Sequence, residues 1–489
     1  MHNFESVLIN TKPYMTQKII ESANQCAIRL LDELPHKSNL SSNRVLLAYG
    51  GGKDSSYMVA YLRYIQAIIY KEHRDTFYLR ISTNRHAGMS KAVMDNIHRV
   101  YSALEIYNDD YVECLLVDGM EIQEFQKDIP FPQAIRHRNR VDMLMNGHRF
   151  QADARSTFCN ACNLSMINSF GIAASYKGGV DIIITGDSTK EQTAYIAWSR
   201  HLSNIFNIKR PKKRSGFSSF LETMNGVSQG YFRNLHGDNN IAPEHSVTFN
   251  LDRDPTFFNI YQNTEYSAGE HWELLTEFLQ FNFDDLMFSF SESDCGNPNL
   301  MAHVRGLRAK SLQRKNYSDG IKEYVKFGLD IMRKKEFPEH LIDIMASRYI
   351  DEPTVQKQYC LSEKYAKDAF DVNTEQLICM IYSPFTERGK NLDLYIQQEN
   401  PTLNAEKIHK LLRNGIDDSS QQRKIIETIS GLSLASIRQC YNNTLVSNHL
   451  DKNKNSPLSH ILRLDPHKDI IKVFDKNRGI YINEIISGR

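Results

Sequence analysis

The stretch from Arg44 to Tyr61 constrains this 489-residue chain more than any other. An apolar run, Val45-Leu46-Leu47-Ala48, leads into Gly50-Gly51-Gly52-Lys53-Asp54-Ser55, and then Met58, Leu62, Ile65 and Ile69 recur as one buried helical face. The pattern predicts a strand, a glycine loop and a helix. Without a Cβ, consecutive glycines can take positive φ and turn their N–H groups inward, and the helix behind them directs the positive end of its dipole at the same point. Asp54 and Ser55 are placed to cap that helix. Such a turn suits a phosphate group. The commoner phosphate loop is excluded, because it has four residues between its first glycine and Gly-Lys-Ser/Thr, whereas here lysine follows the glycines directly.

The rest of the chain repeats this alternation. A β-type run, Thr76 to Ser82, precedes the loop Ser82 to Ala87 and a helix carrying Met89, Val93, Ile97, Val100 and Leu104 on one face. Further apolar runs, Val112 to Val117 and Val180 to Thr185, complete a βαβα order that predicts a doubly wound parallel sheet with ligands at the strand C-termini. Residues 1–41 read as a leading helical extension, with Ile19, Ala23, Ala27 and Leu30 in register. Residues 205–260, with the basic run Lys209 to Arg214, read as an insertion whose charges either face solvent or meet a phosphate-bearing substrate such as RNA. From residue 309 to 489 the pattern turns helical throughout, with Pro338 at a helix start and Gly431 breaking two short helices.

Composition narrows the partners. Lys+Arg total 59 against Asp+Glu 58, so net charge does not announce a nucleic-acid partner. No apolar run approaches the roughly 18 residues of a membrane span, and a soluble, cytoplasmic protein without a membrane partner is expected. Eight cysteines are too sparse for a disulfide scaffold, so a close pair points to metal or chemistry.

The glycine loop resembles the PP-loop of the N-type ATP pyrophosphatases, whose pattern is Ser-Gly-Gly-x-Asp-Ser after a buried first strand. The family's serine is Gly50 here. Phe158-Cys159-Asn160-Ala161-Cys162 opening a helix, the later Thr185-Gly186-Asp187-Ser188, and Cys295 within Ser293 to Leu300 follow the order found in the tRNA 2-thiocytidine and 2-thiouridine synthetases. Asp187 stands where that branch has histidine. The resemblance covers residues 42–308 and implies an adenine nucleotide alpha hydrolase-like fold. It also implies cleavage of ATP between its α and β phosphates, so that a substrate oxygen is adenylated and then replaced. Gly50, Gly51, Gly52, Lys53, Asp54 and Ser55 would hold the phosphates, with Ser82, Thr83 and Gly186 beside the nucleotide.

Carboxylates suit Mg²⁺, and Asp54 and Asp187, at the ends of two strands, are its candidate ligands. Cys159 and Cys162 lie close enough to share one metal centre at a helix N-terminus. With Cys295 they match the resembled branch's three thiolates for a [4Fe–4S] cluster carrying sulfur; Zn²⁺, a catalytic thiol pair, or buried structural cysteines are the alternatives. Sulfur delivered by a donor protein to an RNA or a small-molecule acceptor is the favoured reading. Amide formation with an incoming amine, or a nucleotide-binding regulatory module whose chemistry has decayed, would use the same loop.

Overall fold

Val45, Leu46 and Leu47 are fully buried in β1 (Arg44–Ala48), as a central strand covered on both faces requires. The computed structural model describes residues 4–152, 157–158, 162–186, 189–209, 216–238, 241–262, 271–282, 298–334, 337–414, 420–446, 457–465, 468–475 and 480–487. They form two compact units, one of residues 1–131, 164–228 and 243–288, the other of 132–163, 229–242 and 289–489. No helix among the described residues is long and apolar enough to cross a membrane.

The first unit is an α/β fold around a six-stranded sheet. Besides β1 it contains β2 (Tyr78–Arg85), β3 (Val112–Asp118), β4 (Glu121–Glu124), β5 (Ile182–Thr185) and β6 (Thr256–Asn259), in spatial order β4-β3-β2-β1-β5-β6. All neighbours are parallel except β3 and β4. The sheet is therefore mixed rather than parallel throughout. Asp118-Gly119-Met120-Glu121 makes the difference: Gly119 takes φ +60° in a two-residue hairpin that pairs Asp118 with Glu121. The stretch expected as an insertion also supplies sheet, because Thr256 to Asn259 pairs in register with Ile182 to Thr185.

Helices cover both faces. Val45, Leu47, Leu79, Ile81, Ile182 and Ile184 share a core with α2 (Gln17–Glu33), α3 (Lys53–His73) and α4 (Lys91–Ala103). Arg80, pairing with Leu46 from the alternate positions, points the other way and donates to the carbonyls of Ala173 (2.9 Å) and Tyr176 (2.8 Å) at the end of α6 (Cys162–Ser175). The single buried face predicted for α3 is wider in the structure, since Ser56 to Ile69 are all buried. Thr16 caps α2, and α1 (Phe4–Thr11) seats Phe4 on Tyr70 at 4.4 Å, so the N-terminal helices enclose α3. Arg63, fully buried inside α3, is held by Asp109 and Gln66 and lies 4.6 Å from the Phe4 ring centre.

The second unit is largely helical. It includes α5 (Gln133–Phe150), α9 (Pro298–Ser311), α10 (Tyr317–Lys334), α11 (Glu339–Ser347), α12 (Glu352–Phe370), α13 (Thr374–Tyr382), α14 (Leu392–Gln398), α15 (Ala405–Asn414), α16 (Ser420–Ser430), α17 (Leu434–Asn442) and α18 (Pro457–Arg463). Reciprocal capping boxes start α12 (Asp351 with Thr354) and α13 (Asn373 with Gln376). Gly431, at φ +69°, separates α16 from α17. The region is not all-helical. It ends in an antiparallel hairpin, β7 (Lys468–Asp475) with β8 (Ile480–Ser487), whose β-branched runs outweigh helical periodicity. Between the units' other elements in sequence run α7 (Thr189–Ile205) and α8 (Phe217–His236).

Candidate phosphate-binding site

The order in which strands are added reverses at β1: β2 and β3 lie to one side of it, β5 and β6 to the other. A crevice beyond the strand C-termini at such a point is where open α/β sheets take ligands. The glycine loop sits there. Gly51 has φ +78°, and a Cβ on it would come within 2.6 Å of Val93 Cγ1 and 3.0 Å of Ile97. Two independent constraints thus require glycine at Gly51. Gly50 has neither, as its φ is not positive and no atom lies within 4 Å of a built Cβ. Among the described residues, nothing accepts a hydrogen bond from the backbone N–H of Gly50, Gly51 or Gly52.

Gly52, and not Asp54, is the N-cap of α3, and no side chain caps it. The hydroxyls of Ser55 (3.0 Å) and Ser56 (2.8 Å) instead donate back to the Gly52 carbonyl, and Tyr49 Oη lies 2.9 Å from Ser56 Oγ. These bonds fix the loop from beneath. Asp54 stands in the first helical turn, half-exposed, with Lys53 Nζ at 2.9 and 3.1 Å from its two oxygens. Lys53 itself is only 5% exposed, so its charge is set at the helix entrance.

The second strand closes one side. Ser82 pairs with Ala48 and accepts the Tyr49 N–H at 2.9 Å, and Thr83 behind it is fully buried. Two residues that no sequence pattern announced follow in the β2–α4 loop. His86 Nδ1 and Ser90 Oγ are buried without a hydrogen-bond partner among the described residues. Burial pushes the His86 pKa down to about 4, so its ring is neutral at pH 7. Ser90 is the N-cap residue of α4 yet makes no capping bond. Because Val93 abuts Gly51, the N-termini of α3 and α4 both open near the loop, and their dipoles add. On the other side Gly186 follows β5, with its built Cβ 4.0 Å from Met58 of α3.

The structure therefore gathers Gly50, Gly51, Gly52, Lys53, Asp54, Ser55, Ser82, Thr83 and Gly186 at one sheet edge. Asp187, Cys159, Cys295 and the basic residues 210–214 lie outside the described residues. Cys162 opens α6, partly exposed, and the adjacent Asn163 Nδ2 donates to Asp465. Burial raises the thiol pKa of Cys26 to about 11 and of Cys440 to about 12, and raises those of Cys114 and Cys379 as well, which keeps these four protonated and inert. No protein-family model, no curated protein and no solved structure matches the chain.

Proposed function

We propose that the protein is an ATP-dependent, AMP- and pyrophosphate-forming enzyme of the PP-loop type that adenylates a carbonyl oxygen of its acceptor and then replaces it, with sulfur as the incoming atom. The observation that carries this reading is the run of three N–H groups at Gly50, Gly51 and Gly52 that have no partner among the described residues, set beside two helix N-termini. In the first step the acceptor oxygen bonds to the α-phosphorus, the α–β anhydride bond breaks, and pyrophosphate leaves with the bonding pair. Negative charge grows on the departing group, and the loop amides, already fixed by Ser55, Ser56 and Tyr49, meet that charge without rearranging. Mg²⁺, when bound, would add Lewis-acid stabilisation of the same oxygens. Asp54, half-exposed and already beside one cation, has the donor chemistry to hold it. His86 Nδ1 and Ser90 Oγ would meet the polar groups of the nucleoside.

The test follows α-labelled ATP in the presence of candidate RNA and small-molecule acceptors. Labelled AMP and stoichiometric pyrophosphate are expected. Asp54→Ala should lower turnover at least about 100-fold with circular dichroism unchanged. Release of ADP and phosphate instead, or normal pyrophosphate release from Asp54→Ala, would remove the assignment. The incoming atom is tested separately: anaerobically purified protein should carry iron and labile sulfide, lost on replacing Cys159, Cys162 or Cys295 by alanine. Iron-free protein that still forms AMP would favour an incoming amine.

A further inference from the structure

A cleft of about 510 Å³ opens within the second unit. One wall is a single stripe of α9 and its exit, with Leu307, Lys310, Ser311 and Arg314 at the spacing of one helical face. The facing wall is a stripe of α13, made of Thr374, Ile378 and Tyr382. Tyr359 of α12 and the end of α14, Gln397 to Glu399, complete the rim.

Two features of this cleft suit a ligand. The first is cationic. Lys310 and Arg314 are both exposed on the cleft wall, and among the described residues neither makes a hydrogen bond or ion pair, so both are open to an anion. Arg314 also holds a left-handed backbone, φ +54°, at the position after α9 where the Lys315 N–H returns to the Ala309 carbonyl at 3.0 Å. Glycine is the usual residue there, and arginine is strained. Cations near a helix C-terminus do complement its dipole, but that needs no particular backbone and is met by Arg308 and Lys310 in the last turn.

The second feature is an excess of acceptors. The Tyr382 hydroxyl lies 2.9 Å from the Ser311 carbonyl, 2.8 Å from Gln398 Oε1 and 2.9 Å from Glu399 Oε1. One hydroxyl proton serves one acceptor at a time, so the Glu399 carboxylate, exposed on the cleft rim, keeps lone pairs for a further donor.

We propose that this cleft binds a phosphorylated polyol, a sugar phosphate, with the phosphate dianion on Lys310 and Arg314 and sugar hydroxyls donating to Glu399 and Gln398. Two unit cations match a dianion, and a guanidinium fork accommodates phosphate oxygens in pairs. The volume suits a ligand of pentose-phosphate size, and Leu307, Ile378 and the Tyr359 ring supply the apolar contact such clefts use. The proposal is independent of the ATP reading.

The test is calorimetric titration of the full chain with ribose 5-phosphate, ribose and inorganic phosphate. Saturable binding of ribose 5-phosphate is expected, with inorganic phosphate at least tenfold weaker and ribose silent. Arg314→Gly is the decisive variant, since glycine fits the left-handed position and should raise the melting temperature while weakening ribose 5-phosphate at least tenfold. Glu399→Gln should weaken ribose 5-phosphate and leave inorganic phosphate unchanged. Asp54→Ala, at the glycine loop, should bind ribose 5-phosphate as the parent does. Absence of saturation up to about 10 mM, undiminished binding by Arg314→Gly, or binding of inorganic phosphate as tight as that of ribose 5-phosphate overturns the proposal.

Discussion

Gly50 and Gly51 are neighbours in an unbroken glycine run, and the structure asks different things of them. Gly51→Ala forces a side chain into positive φ and drives Val93 aside, so a loss of about 1–3 kcal/mol in urea unfolding is expected. Gly50→Ser has room and no backbone strain, and it should melt with the parent while adding a hydroxyl donor to the loop. A large drop in melting temperature for Gly50→Ser would refute this geometry of the loop. Histidines give a second residue-scale expectation. Burial holds the pKa of His86, His148 and His303 near 4, below the ordinary 6.5. Between those values the unfolded chain takes up protons that the folded chain refuses, so stability is full above pH 6.5 and falls as pH drops toward 4. Each histidine contributes at most about 1.4 kcal/mol per pH unit to that slope. His148, with both ring nitrogens buried and without a partner among the described residues, is the position to vary. His148→Phe should unfold no more easily at pH 7 and should flatten the acid slope between pH 6 and 5 by one histidine's share. The glycines were legible because their spacing is itself the signal. His86 and Ser90 were not, because a polar residue after a strand becomes unusual only when burial removes its partners.

Among the elements, α3 shows where helical periodicity stops being informative. Met58, Leu62, Ile65 and Ile69 mark the side that meets the sheet, but α1 and α2 come from sequence-remote positions to bury the rest. That enclosure leaves Arg63 without water, and Asp109 is the buried carboxylate that pairs with it. Asp109→Ala should therefore destabilise the protein by about 3–5 kcal/mol, far more than loss of an exposed pair such as Lys390 with Glu387. Chemical denaturation of the two variants Asp109→Ala and Glu387→Ala makes that comparison. Equal effects would mean that Arg63 reaches solvent after all. The strands were legible where apolar runs were continuous, as in β1, β3 and β5. They were missed in β4, which is polar and four residues long, in β6, set among polar turns, and in β7 and β8, which follow a long helical stretch.

For the whole molecule, the compact unit that holds the C-terminal helices also takes residues 132–163 and 229–242. Helix α5 packs there, with Gly147 so close to Met380 that a Cβ would overlap its sulfur, and with Arg149 donating to the Thr444 carbonyl at 2.8 Å. A chain ending at residue 308 keeps α5 but loses those partners. It should bind a hydrophobic dye and melt without cooperativity, whereas a folded, dye-silent 1–308 chain would show that α5 needs none of them. The order of the sheet has a consequence during synthesis. The partners of β1 on its two sides differ in sequence distance, Val45 pairing with Leu79 across 34 residues and with Ile182 across 137. A nascent chain leaving the ribosome can thus zip β1 to β2 and β2 to β3 well before β5 exists, so the glycine turn forms at the exposed margin of a half-built sheet. An arrest-peptide force profile should then register two separate pulls, an early one as β3 clears the exit tunnel and a later one after β6.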